Sequence, residues 1–193
     1  MSTPPPLPVR RNRIMLIAIF ALFFGSMLLA GILRFSGWHP PVTKAHGELL
    51  QPPTDLRALT LTLADGSAYP WRQQQHTWRI ALAPAPGCAD PCLRLGNDLM
   101  KVWQLMGAES AHVDVLWIGD PPAALPRGGA LKIVRPEAAL RGRLPRLHPD
   151  NGEAADGVPV YVIDPNGFVI LRYAPGFDPA GLRADLAKLV KLI

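Results

Sequence analysis

The chain has no acidic residue before Glu48, only two cysteines, and no Ser-His-Asp arrangement, phosphate-binding glycine-rich loop or His-x-x-x-His pair. Without the last three, a triad hydrolase, P-loop nucleotide chemistry and a helical zinc site have no residues to stand on. With only Cys88 and Cys92, any cysteine chemistry belongs to one pair. Net charge is also scarcer than it looks. The chain carries a formal +5, but four of its 20 basic residues (Arg10, Arg11, Arg13 and Arg34) flank one apolar run, and the other 16 face 15 acidic residues, which leaves +1. A domain so nearly neutral has no electrostatic reason to bind nucleic acid.

What is present begins with that run. Residues 14–33 (IMLIAIFALFFGSMLLAGIL) are 20 residues without a charge, enough at about 1.5 Å per residue to cross a hydrocarbon core of about 30 Å. The run is longer than the apolar core of a cleaved signal peptide, usually about 7–15 residues, and Trp38 follows at a position suited to an interface. Residues 14–34 are therefore expected to form a transmembrane helix that stays in the chain. Arg10, Arg11 and Arg13 ahead of it place the N-terminus in the cytoplasm by the positive-inside rule. In a bacterium this makes a single-pass inner-membrane protein with a periplasmic C-terminal domain. The expected divisions are a proline-rich cytoplasmic tail at 1–13, the anchor at 14–34, an extended periplasmic linker at 35–55 containing His46-Gly47-Glu48, and a folded domain at 56–193.

Within that domain, residues 56–63 alternate as a strand and Ala64-Asp65-Gly66-Ser67 turns the chain towards a second strand near Tyr69. Residues 77–83 read as a central strand, and 92–106 as an amphipathic helix with Leu95, Leu99, Val102 and Met106 on one stripe. A buried strand follows at 112–118, a short strand at 131–134, and a short helix at 136–144 with proline in its first turn. Asp164-Pro165-Asn166-Gly167 between two apolar runs is a strong hairpin signal, and Asp178-Pro179 opens a last helix. This order, strand, helix, strand, crossover, hairpin, helix, predicts an α/β sandwich with a mixed central sheet.

The two cysteines sit where the strand at 77–83 passes into the helix. If the helix has begun by Cys88, the i and i+4 positions bring the α-carbons to about 6 Å, inside the disulfide window. The same proximity suits a soft metal such as Cu(I), so a disulfide, a metal site or both are open. A helix N-terminus favours thiolate, which makes Cys88 the candidate attacking thiol and Cys92 the resolving one. A loop this short contributes little stability when closed by a disulfide. Asp90, between the cysteines, opposes thiolate formation or caps the helix.

A cysteine pair at the turn from strand into helix, with Val158-Pro159-Val160 ahead of the final hairpin, resembles the thioredoxin-like superfamily over residues 74–192. The Cys88-x-x-x-Cys92 spacing, one N-terminal anchor and the Tyr161-Val162-Ile163-Asp164-Pro165-Asn166-Gly167 ending are similar to its SCO/SenC branch of cytochrome c oxidase assembly proteins. The resemblance implies a thioredoxin-like sandwich, a cis Val158–Pro159 bond beside the cysteines, and a role in delivering Cu(I) to, or reducing the cysteines of, the oxidase subunit with the dinuclear copper site. It also implies a copper-binding histidine a few residues before the penultimate strand. Here those positions read Ala154-Ala155-Asp156-Gly157-Val158-Pro159, so His148 is the candidate third ligand with Cys88 and Cys92; Leu93 stands where the branch carries proline. His76, just before the strand that leads to the cysteines, is a weaker candidate, and His112, which opens a strand, reads as structural or exposed. Met100, Met106, Trp103 and Trp117 read as packing. Two further roles stay open: a general periplasmic disulfide oxidoreductase, and a non-catalytic assembly scaffold with a structural disulfide.

Overall fold

The computed structural model describes residues 9–36, 45–71, 73–148, 152 and 157–192. Trp38, the first part of the linker and positions 154–156, where a copper-binding histidine was expected and is missing, lie outside them. The chain divides into two compact units, Met1–Val42 and Thr43–Ile193.

The first unit contains one helix, α1 (Val9–Phe35). Its side chains are exposed almost throughout, and the span Arg10–Phe35 is long and apolar enough to cross a membrane. It starts before residue 14 because Arg10, Arg11, Asn12 and Arg13 contain no helix breaker; the last proline is Pro8.

The second unit is built on a six-stranded sheet in the order β1-β8-β7-β4-β5-β6. β4 (Trp78–Leu82), β5 (Val113–Ile118) and β6 (Leu131–Val134) run parallel, and β7 (Val160–Ile163) and β8 (Phe168–Tyr173) return antiparallel as a hairpin. A small separate hairpin, β2 (Leu61–Thr62) and β3 (Ala68–Tyr69), forms where the 56–69 pattern predicts one. β1 (Glu48–Asp55) departs from expectation. This half of the predicted linker pairs with β8 at the edge of the sheet, with a bulge between Leu49 and Thr54 that contains Pro52 and Pro53. Prolines cannot donate to a ladder, so an edge strand with a bulge is where they are tolerated.

Strand alternation sorts side chains to two faces. Ile80 and Leu82 of β4 join a core with Leu99 and Val102 of α2 (Asp90–Gln104), Met106 just past the end of that helix, and Leu182 and Leu186 of α4 (Pro179–Leu189). Ala81 and Ala83 point the other way, to Leu140 and Leu144 at α3 (Ala138–Arg143). Burying a side chain such as Leu99 or Leu186 completely contributes about 1.5–3 kcal/mol. Met106 is in the core, Met100 packs against it, and Trp117 is fully buried, as their positions on the apolar pattern predict.

Turn and cap chemistry follows the sequence closely. In the β7–β8 hairpin the Phe168 amide donates to Asp164 Oδ1 at 2.7 Å, and Gly167 supplies a φ of +99° that a side chain would disfavour. Asp178 caps α4 by accepting from the Ala180 amide at 2.9 Å. At the end of the sheet where β4 begins, Arg79 is 1% exposed. Its Nη1 donates to the carbonyls of Thr77, Asp164 and Pro165, its Nε donates to the Tyr69 hydroxyl, and that hydroxyl donates to Asp114 at 2.5 Å.

Candidate functional site: the Cys88 cleft

After β4 the 84–87 segment, Pro-Ala-Pro-Gly, cannot continue the ladder, because two of its four residues have no N–H. It turns instead: the Cys88 amide donates to Ala85 O at 3.3 Å and Gly87 takes a φ of +78°. α2 then opens at Asp90, two residues past Cys88. Asp90 lies in its first turn, while the N-cap is Ala89, which offers no side-chain bond. Cys88 thus precedes the helix, yet its α-carbon is 5.7 Å from that of Cys92 and the two form a disulfide. Cys92 is fully buried in the core with Leu99, and Cys88 is half-buried. A sulfur released at this first turn would face backbone N–H groups that lack helical partners, an environment that favours thiolate.

Cys88 opens into a cleft of about 430 Å³. The cysteine loop forms one part of its wall, Arg141, Leu147 and His148 another, and Gly157, Val158 and Pro159 a third. Three of the residues singled out from sequence, Cys88, Pro159 and His148, therefore meet in one place, with Cys92 just beneath. His76 sits in the loop before β4, exposed and at a φ of +49°, and His112 lies at the start of β5; both are at the other end of the sheet.

Two implications of the resemblance are not met. The Val158–Pro159 bond is trans; among the described residues the cis bond is Gln51–Pro52. Val160 enters β7 already paired with Leu82, so the chain arrives extended, and an extended X-Pro segment has no need of the less stable isomer. Nor are Cys88, Cys92 and His148 gathered as a ligand set. No group of three His, Cys, Asp or Glu side chains that could hold a metal ion occurs among the described residues. In the disulfide the two sulfurs carry no thiolate to offer a metal; reduction would supply two.

Sequence reasoning missed a second polar centre at the same end of the sheet. Asp185 of α4 is 3% exposed and accepts from the amides of His46 and Gly47, at 2.6 and 3.2 Å, and from the Tyr173 hydroxyl at 2.8 Å. His46 Nδ1 lies 3.1 Å from its other oxygen. Burial pushes the Asp185 carboxyl up, but the bonds from Tyr173, His46 and Gly47 outweigh it and hold the group below the usual carboxylate range. Burial, and then the bond to Asp185, raises the Tyr173 hydroxyl. The fit is close: a β-carbon on Gly47 would stand 2.6 Å from the Tyr173 ring, and one on Gly181 would stand 2.8 Å from His46. The available signal was a lone carboxylate on the inner stripe of the last helix, between Leu182 and Leu186.

No curated protein matches the chain by sequence. Solved structures match it as a fold. The SCO1/SenC family lipoprotein from Bacillus anthracis is 16% identical, with a TM-score of 0.54 over 72% of this chain and 98% of that one. BsSco, a member of the Sco family of cytochrome c oxidase assembly proteins, is 13% identical, with a TM-score of 0.53 over 80% and 100%. Arabidopsis thaliana ScoI, solved with copper bound, is 14% identical, with a TM-score of 0.50 over 77% and 100%. Residues 78–193, from the start of β4 to the C-terminus, match one family model, the transmembrane-like, thioredoxin-like, C-terminal domain, and the chain belongs to that family.

Proposed function

We propose that this is a membrane-anchored, periplasm-facing thioredoxin-like protein that assists cytochrome c oxidase maturation by thiol–disulfide exchange at Cys88 and Cys92. One observation carries the reading: the disulfide joins a half-buried sulfur at the mouth of a cleft to a fully buried one in the first turn of a helix. In the reduced protein the Cys88 thiolate attacks a client disulfide and forms a mixed disulfide, and one client sulfur leaves as thiolate. Cys92, on losing its proton, attacks Cys88 Sγ and releases the second client thiolate. The client is reduced, and the protein is left with the Cys88–Cys92 disulfide. An upstream dithiol then returns the two electrons.

Equilibration of the full-length protein in thiol–disulfide buffers, read by alkylation, tests this. A potential above about −300 mV supports exchange, while a lower one would make the disulfide a structural staple and favour a scaffold role. The client is tested with Cys92→Ser, which should trap a mixed disulfide with the oxidase subunit that carries the dinuclear copper site. Trapping spread over many exported proteins would instead mark a general oxidoreductase.

A second reading, Cu(I) handling, is favoured by His148 sharing the cleft with Cys88 and by likeness to folds such as the copper-bound Arabidopsis ScoI. The reduced pair would bind Cu(I) as two thiolates with loss of two protons. Competition between the reduced protein and a Cu(I) chelator should show binding that Cys88→Ser abolishes and His148→Ala weakens about tenfold. Binding indifferent to both cysteines would remove this reading.

A further inference from the structure

Arg135, Arg141, Arg143 and Arg146 follow one another closely and look in sequence like a basic surface. The fold disperses them. Arg146 pairs with Glu48, and Arg143 donates to Asp55 O. Arg135 lies near Asp65, whose carboxyl its charge helps hold low, after the stronger effect of the bonds from Ser67. Arg141 is different. It is half-buried, its Nη1 donates to Pro84 O at 3.1 Å, and it forms no ion pair with the described residues. Its place is in the wall of the cleft into which Cys88 opens, and no carboxylate lines that cleft among the described residues. Asp90, the acidic residue nearest Cys88 in sequence, is exposed on α2 and is not part of the lining.

We propose, building on the exchange reading above, that Arg141 is the specificity-determining residue of the Cys88 cleft, and that its positive charge selects clients whose cysteine is carried on an acidic segment. A guanidinium keeps its charge at every physiological pH. The bond to Pro84 O steadies it beside the loop that ends at Cys88. The described lining of the cleft is mostly proline, alanine, glycine, leucine and valine, with His148 the other basic side chain in it, so Arg141 is screened less than a charge on an open surface. When a client sulfur bonds Cys88 Sγ, the residues flanking the client cysteine necessarily enter this cleft. Their charge meets that of Arg141, which attracts carboxylates and repels lysine and arginine.

Exchange passes through the same mixed disulfide in both directions, so the selectivity is readable from the oxidised protein. An incoming thiolate bonds Cys88 Sγ, the Cys88–Cys92 bond breaks and Cys92 leaves as thiolate, with no other oxidant or reductant involved. The probes are three small thiols: anionic 2-mercaptoethanesulfonate, neutral 2-mercaptoethanol and cationic cysteamine. Each is mixed with the full-length oxidised protein in an uncharged detergent at low salt, and ring opening is followed by trapping of Cys92. The reading is the anionic-to-cationic rate ratio in the native protein divided by the same ratio in Arg141→Gln, so that differences in intrinsic thiol reactivity cancel.

This quotient is expected to be about five or more, Arg141→Lys should keep most of it, and 0.5 M salt should collapse the native ratio towards that of Arg141→Gln. An equal ratio in native and Arg141→Gln proteins, with all three thiols opening the disulfide, overturns the inference and leaves the exchange reading standing. A disulfide that none of the three opens overturns both. If Arg141→Gln fails to fold, the salt series on the native protein decides alone, and a ratio unmoved by salt overturns the proposal.

Discussion

At the end of the sheet where β4 begins, Arg79 ties three carbonyls and the Tyr69–Asp114 pair into one buried network. At the end where β4 finishes, the loop to Cys88 is held, among the described residues, by one turn bond, Cys88 to Ala85, and by Arg141 to Pro84. On this second end the polar bonding is displaced sideways, to Asp185, His46 and Tyr173. The difference has a physical logic. A disulfide that opens and re-forms needs small movements of its loop, and a loop with few bonds permits them. The densely bonded end and the Asp185 centre hold the strands and α4 in place meanwhile.

On that contrast, the largest stability loss comes from the end remote from the cysteines. Arg79→Ala leaves the Tyr69–Asp114 pair and three inward carbonyls without their donor, and should cost about 3–5 kcal/mol in urea unfolding, with the reduction potential of the disulfide unchanged. A potential that moved with it would erase the distinction between the two ends. Asp185→Asn keeps the shape but loses the charge that accepts three donors, and should cost about 2–3 kcal/mol.

Asp185 also sets a pH dependence. Its carboxyl is depressed in the folded chain, so its contribution is present above the unfolded value of about 3.9 and is lost as pH falls through the lower folded value. Native stability should therefore drop in acid below about pH 4 more steeply than that of Asp185→Asn. Parallel curves would show that the carboxylate is not the source.

Gly47→Ala forces a β-carbon towards the Tyr173 ring and should cost about 1–3 kcal/mol, partly recovered by adding Tyr173→Leu. Smaller still is the effect at the cysteines. Cys88→Ser should lower stability by about 2 kcal/mol or less, since the closed loop is short, while abolishing exchange entirely. His148→Ala, at an exposed position, should stay within about 0.5 kcal/mol and show itself only in Cu(I) affinity.

Much of this arrangement was legible in the residues. The stripe of Leu99, Val102 and Met106, the Asp164-to-Gly167 turn and the Asp178 cap each depend on neighbours within a few positions, and each appears where its pattern places it. The Cys88–Cys92 proximity was legible too, although the helix starts two residues later than the geometry assumed. β1 was not legible. Its two prolines read as linker, and its pairing partner, β8, lies more than a hundred residues away in sequence. The trans Val158–Pro159 bond was hidden for a related reason: it depends on how β7 enters its register with β4.

By itself, then, the sequence determined the apolar span, the alternation of strands and helices, and the presence of one cysteine pair at a strand-to-helix turn. These rest on local periodicity, turn chemistry and spacing, which act over a few residues. Tertiary structure alone decided that Arg141 and His148 share a cleft with Cys88, that Asp185 receives His46 and Gly47, and that residues 48–55 complete the sheet. Those outcomes require side chains far apart in the chain to meet at a common end of one sheet, and no local pattern encodes that meeting.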